Sequence, residues 1–281
     1  MSISDTTPIS GWGRYPVAAG RVRRSERLER ITCGASLSRG LGRSYGDSSL
    51  PAGEQDAVAE STLADRFLSF DRQTGLMRAE AGVSLAEMNR LFLPQGWFTP
   101  VTPGTQFVTL GGMAAADVHG KNHHVAGCFG EHIQSLKMRV ASGDIVECSE
   151  ASEPELFRAT LGGMGLTGHI LELSFQMEKT PSPWIYEESE RIDNLADFIE
   201  GLREAAKDWP FTVGWIDCLK RGKHMGRGLL MKGRWASAEQ APSQPPRPKR
   251  GPTMPFDFPS WALNRWSIQA FNAAYYRKQW A

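Results

Sequence analysis

Several things are scarce in this 281-residue chain, and each scarcity excludes something. Cysteine occurs four times, at Cys33, Cys128, Cys148 and Cys218. These positions are widely spaced and form neither a disulfide framework nor a CxxC metal pair, so reduced core thiols in a cytoplasmic protein are expected. Charge of one sign is not in excess: 32 lysines and arginines face 31 aspartates and glutamates, for a net charge of +1. A basic groove for nucleic acid is therefore not expected. No apolar run is long enough to span a bilayer, so no transmembrane segment is expected. The opening residues, "MSISDTTPISGWGRYP", have neither a basic n-region nor an apolar h-region, so no signal peptide is expected. No internal repeat is present. Common nucleotide loops are missing too. There is no GxxxxGK[ST], and "GLGRSYG" is one residue too long for GxGxxG and is followed by polar "DSSLPAGEQD" rather than a helix.

What is there is glycine in three clusters. "SRGLGRSYGDSSL" spans residues 38–50, "PVTPGTQFVTLGGMAAADVHGKNHH" ends at His124, and "LGGMGLTGHI" spans 161–170. Glycine permits positive φ and close approach of a ligand, and consecutive N–H groups in such turns bind anions. One such loop is as well explained as an ordinary surface loop. Three of them suggest an extended ligand with a pyrophosphate at its middle. A short helix after Thr109, with free N–H groups at its start, suits a diphosphate.

The apolar fraction of 41% supports a substantial core. "ITCGASLSRG" reads as a strand feeding the first loop, and residues 11–20 as irregular. "FLSFD" and "GLMRAEAGV" read as a hairpin joined at "RQTG". "SLAEMNRLFLPQG" reads as a helix, with Ser84 as N-cap, Glu87 completing a capping box and Gly96 as the stop. Residues 135–149 read as strand, turn, strand, and 155–178 as helix, glycine turn, strand. After "KTPSPW" a strand, a helix and two strands form a second α+β unit. Proline-rich 236–259 reads as an exposed loop. The aromatic-rich last stretch is either a helix or strand-like.

"RGLGRSYGD", "PGT" with "VTLGG", "DVHGKNHH" with "AGCFG", and "GGMGLTGHI" stand in one order over residues 11–176. Together they resemble the vanillyl-alcohol-oxidase (PCMH) type of FAD-binding oxidoreductase. The resemblance implies an α+β fold: a PCMH-type FAD-binding domain of two α/β subdomains over residues 1–178, then an incomplete α+β substrate domain over 179–281. Relative to that family the region after Asp47 shows no apolar strand, and the family's C-terminal segment with its lysine near the flavin has no counterpart.

The resemblance also assigns roles. Arg39, Gly40, Leu41, Gly42, Arg43, Ser44, Tyr45, Gly46, Asp47 and Ser48 would wrap the FAD pyrophosphate. Gly104, Thr105, Thr109, Leu110, Gly111 and Gly112 would cover its other side. Ala116, Asp117, Val118 and His119 would run along the flavin, with Gly168 and Ile170 at the adenine end. Arg43 stands where some relatives carry a tethering histidine, which implies non-covalent FAD. The implied reaction is oxidation of a secondary sugar hydroxyl to a ketone. Its implied substrate is a polyprenyl-phosphoryl ribose, and a partner short-chain reductase finishes the epimerisation. His119 is the candidate base, Tyr45 orders the pocket and Lys121 favours an anionic substrate or reduced flavin. Such a chain would be cytoplasmic, reaching a membrane only through its lipid-linked substrate.

His119, His123, His124, Cys128 and His132 also stand close together. Histidines four apart on a helix can bind zinc, which would make the chain a hydrolase. Gly120 and Asn122 oppose a helix there, there is no HExxH, and the expectation is no metal. Histidines that merely satisfy loop hydrogen bonds are a further alternative. An alditol or aldonolactone oxidase, or an inactive fragment, are the others.

Overall fold

The computed structural model describes residues 2–3, 6–244, 246 and 256–278. Two compact units emerge, Met1–Thr180 and Pro181–Ala281.

The first unit begins with β1 (Ser2–Ile3), β2 (Thr7–Ser10), β3 (Val17–Arg24), β4 (Leu37–Arg39) and β5 (Ala57–Glu60), with helix α1 (Leu28–Ile31) between β3 and β4. They form one sheet in the order β1-β3-β5-β4, with β2 also paired to β3. Strand β5 runs parallel to both neighbours, Val58 opposite Val22 on one side and Leu37 on the other. This corrects two readings. Residues 17–20, the end of the segment read as irregular, begin the eight-residue strand β3. An apolar strand does follow Asp47, written Ala-Val-Ala, with Ala57, Val58 and Ala59 all buried. A central parallel strand is covered on both faces and needs no polar alternation, and alanines give little hydrophobic signal.

The second sheet carries the longer-range packing. Strands β6 (Phe67–Phe70) and β7 (Leu76–Glu80) form the expected hairpin, followed by helix α2 (Leu85–Phe92), β8 (Trp97–Phe98) and helices α3 (Leu110–Ala115) and α4 (His123–Ala126). Then come β9 (Ile133–Arg139), β10 (Ile145–Cys148), helix α5 (Pro154–Thr160), β11 (His169–Gln176) and β12 (Glu178–Lys179). The sheet order is β10-β9-β11-β7-β6, antiparallel throughout. Strand β12 pairs with β8. Alternation along β11 buries Leu171, Leu173 and Phe175, which meet Met77, Leu136 and the apolar faces of α2 and α3 in one core. Helix α2 starts where its sequence says: the Ser84 hydroxyl accepts from the Glu87 N–H at 3.2 Å. The Glu87 carboxylate turns to Arg90 at 3.3 Å, so one half of the capping box is made.

The second unit is an antiparallel sheet, β13-β15-β14, built from β13 (Ile185–Ile192), β14 (Phe211–Ile216) and β15 (Gly228–Trp235). Helix α6 (Leu195–Asp208) lays Phe198 on it, and Gly214 and Gly228 leave the room: a Cβ at either would sit 2.7 Å from the Phe198 ring. The last stretch is a helix, α7 (Arg265–Lys278), held by Asn272 donating to buried Asp217 at 2.8 Å. Asp217 also pairs with Arg227 at 2.9 Å. Ten residues of the proline-rich loop, 245 and 247–255, lie outside the described residues.

Candidate functional site

Strand β4 delivers the first glycine loop against the start of helix α3. Gly40 makes that contact: any Cβ there would strike the Thr109 hydroxyl. Thr109 is the N-cap of α3, accepting from the Gly112 N–H at 3.3 Å. Gly111 lies so close to β7 that its Cβ would sit 2.7 Å from Ala81 Cβ. Gly112 faces the other way and is exposed.

Between loop and helix lies a cavity of about 630 Å³. Arg39 to Gly46, Gly104, Thr105, Thr109, Gly112, Ala116, Val118 and His119 line it. A smaller cavity of about 90 Å³ adjoins it, sharing Arg39, Gly40, Ser44, Thr109, Gly112 and Ala116, and adding Gly111, Gly168 and Ile170. The three glycine clusters thus meet in one extended cleft. Asp47, Ser48, Leu110, Asp117 and Lys121 line neither cavity. Leu110 is buried in the core instead. Asp117, at φ +40°, holds the Gly130 N–H at 2.7 Å.

The sequence places donors both in the first loop and at the start of α3, and the structure overturns the second set. The N–H groups at the start of α3 are not free: Leu110 donates to the Val83 carbonyl at 2.8 Å and Gly111 to Ala81 at 2.9 Å. Packing against the β7 end commits them. The free donors are in the first loop, where no N–H from Gly40 to Ser49 has a protein acceptor among the described residues. Gly42 turns this loop at φ +69°. Unpaired N–H groups on residues that line a cleft, as Gly40 to Gly46 do, suit a pyrophosphate. Two cations flank it. Arg39 donates to the Ser10 carbonyl at 2.6 Å, and burial holds its guanidinium below the usual arginine value. Arg43 lies over the Trp12 ring at 5.2 Å and bonds the Leu41 carbonyl. Its Nε is buried without a partner in the described structure.

At the other end stands the "HGKNHH" segment, pinned by buried Asn122 donating to the Pro100 carbonyl at 2.8 Å. His119 pairs through its backbone with Cys128, and its ring meets the His123 ring at 5.6 Å. Cys128 Sγ is 3.8 Å from His123 Nδ1. Burial first, then the charges of Asp117 and Glu131, push the Cys128 thiol up. His132 turns away to the Ala126 carbonyl at 2.8 Å. Among the described residues no three His, Cys, Asp or Glu side chains converge as metal ligands would.

Sequence reasoning missed Trp12, Ser49, Pro103, Val108, Met113 and Met164, which also line the large cavity. The signal for Trp12 was its neighbour. Gly11 presses on the loop, its Cβ position 2.7 Å from the Ser44 carbonyl, and Trp12 donates to the same oxygen at 2.9 Å.

A family profile described as an FAD binding domain matches residues 35–149. The chain is 32% identical to decaprenylphosphoryl-beta-D-ribose oxidase of Mycolicibacterium smegmatis over 97% of its length and 63% of that protein. It is 36% identical to a protein from the mprA 5′ region of Streptomyces coelicolor, over 58% of this chain and 44% of the other. It is 29% identical to L-gulonolactone oxidase of Bos taurus, over 47% and 30% respectively. The chain therefore spans less than two thirds of the length of these relatives. Residues 35–149 therefore carry the sequence of an FAD binding domain, and FAD is the cofactor that this match supports.

Proposed function

We propose that the chain serves an FAD-dependent oxidation of a sugar-like substrate at a secondary hydroxyl. The substrate we favour is a polyprenyl-phosphoryl ribose, oxidised to a ketone before a partner reductase completes an epimerisation. The observation that carries the reading is the cleft, which runs from a loop of unpaired N–H groups to the exposed imidazole of His119. Similarity to decaprenylphosphoryl-beta-D-ribose oxidase along 97% of the chain supports the finer choice.

Bound FAD supplies a hydride acceptor. The protein does the rest. The loop N–H groups and Arg39 would hold the pyrophosphate, with Ser44 adding a hydroxyl donor and Gly104 covering its other side. Gly168 and Ile170 would lie at the adenine end. Val118 would run along the flavin ring. A hydroxyl that loses hydride must also lose its proton, and His119 receives it. Tyr45, 85% exposed at the cavity edge, closes over the substrate side. Lys121, two residues beyond His119, adds positive charge on the same segment. Arg43 occupies the position of a tethering histidine and cannot make that bond, so the flavin is held without one. A lipid-linked substrate would bring the chain to a membrane surface. Among the described residues no helix is long and apolar enough to cross one.

The test is a visible absorption spectrum before and after acid precipitation. Flavin bands that leave with the supernatant support non-covalent FAD, and bands kept in the pellet refute the Arg43 reading. Anaerobic bleaching by a polyprenyl-phosphoryl ribose then supports the substrate. Bleaching by an aldonolactone instead moves the chain to the second reading, favoured by its similarity to L-gulonolactone oxidase. A flavin that no sugar bleaches marks a chain that binds FAD without turnover.

A further inference from the structure

We propose that Ser38 is an additional cofactor-binding residue, a hydrogen-bond acceptor at the adenosine end of the cleft whose hydroxyl is oriented by His169. This role rests on FAD occupying the cleft.

Ser38 lies in β4 and lines the small cavity with Gly168 and Ile170. Its hydroxyl is 2.8 Å from Nδ1 of His169, 131 residues later in the chain. The other ring nitrogen, Nε2, is 3.2 Å from the Ala35 carbonyl. A carbonyl only accepts, so Nε2 carries the hydrogen. His169 is 8% exposed, and burial, with the positive charge of Arg139, holds its ring below the usual histidine range. The ring is therefore neutral, and Nδ1 is a bare acceptor. It takes the Ser38 hydroxyl hydrogen. Ser38 then presents only lone pairs to the cavity.

Ser61, also lining the small cavity, is in the same condition, because its hydroxyl donates to the Arg39 carbonyl at 3.3 Å. Ser44 and Ser49, shared with the large cavity, are different. Neither has an acceptor for its hydroxyl hydrogen among the described residues, and Ser49 receives Arg39 Nη1 at 3.4 Å. The cleft thus has a polarity. Loop N–H groups, Arg39, Ser44 and Ser49 offer donors where the cavities join, and Ser38 and Ser61 offer acceptors in the small cavity. An anion fits the first set. A group bearing N–H or O–H fits the second. A pyrophosphate carries acceptors only, whereas an adenosine carries an amino group and ribose hydroxyls, so the order of the two sets matches the order of the two groups in FAD.

The experiment titrates the full apo chain with FAD and with FMN, reading affinity from flavin fluorescence. Ser38→Ala is expected to weaken FAD about three- to tenfold, the worth of one hydrogen bond, and to leave FMN unchanged. Ser38→Thr, which keeps the hydroxyl, restores FAD. His169→Leu is expected to weaken FAD alone, and His169→Asn, which keeps an acceptor near Nδ1, to recover it. A flavin dinucleotide with hypoxanthine in place of adenine locates the donor. If Ser38→Ala no longer discriminates it from FAD, the amino group is the partner; if discrimination persists, a ribose hydroxyl is. An unchanged FAD affinity in Ser38→Ala, or an equal loss of FMN, overturns the proposal even where His169→Leu fails to fold. A wild-type chain that binds neither flavin overturns the FAD reading itself, which is a separate failure.

Discussion

Two glycine-rich segments meet in the cleft, and they use glycine for opposite purposes. In the first loop, no N–H from Gly40 to Ser49 has a protein acceptor among the described residues, and beyond the Gly40 contact with Thr109 the backbone opens out, so that a Cβ at Gly46 would meet nothing within 4 Å. At the start of helix α3, glycine lets the backbone press against its neighbours, and the N–H groups there are already bonded to Val83 and Ala81. On the proposed reading, one segment receives the ligand and the other holds the wall that the ligand lies against. The same residue type in the same motif vocabulary carries both duties, and hydrogen-bond accounting separates them.

That contrast can be broken or sharpened by substitution. The largest effect is expected at Gly111. Gly111→Leu forces a side chain into the Ala81 contact at 2.7 Å and should cost about 3 kcal/mol or more, seen as a fall in the denaturation midpoint with loss of FAD as a consequence. Next is Gly42→Val, which places a branched residue at φ +69° beside the Arg39 guanidinium. About 1–3 kcal/mol of strain is expected, with FAD affinity falling by more than stability does. A collapse of stability with unchanged FAD affinity would erase the distinction between the segments. A smaller effect is expected from pH. The folded state holds His169 below its ordinary value of 6.5, so its contribution is complete above that value. It is lost as pH falls through the lower folded value, because the unfolded chain protonates first. Urea unfolding across this range should show a decline that His169→Asn removes. The smallest effect on the empty protein is expected from Gly46→Ala. With open space around the Cβ it should leave the midpoint unchanged and weaken FAD a few-fold. Equal FAD affinity would show that the ligand does not approach that backbone.

How much of this was legible beforehand depends on how local the cause is. Helix α2 announces itself through Ser84, Glu87 and the spacing of Leu85, Met88 and Phe92, all within one segment. The three glycine clusters were legible as parts of one site because few other functions need three of them, and the fold brings them to one cleft. Strand β5 was not legible, since Ala-Val-Ala has neither length nor hydrophobic contrast, and only its place between β3 and β4 makes it a strand. The allocation of donors was hidden for the same reason. Whether Leu110 and Gly111 N–H groups are free depends on carbonyls at Val83 and Ala81, which packing brings there. The Ser38–His169 pair had no local signal at all.

The small cavity has a consequence for the order in which the protein is made. Its wall joins Ser38 on one of the earliest strands to Gly168 and Ile170 around the start of β11. Synthesis proceeds from the N-terminus, and contacts of high sequence separation form late. The glycine loop therefore leaves the ribosome long before its partner strand exists. Until β11 docks between β9 and β7, the glycine loop lacks the wall that completes the small cavity. On the proposed reading, full cofactor affinity is therefore expected only once β11 has docked.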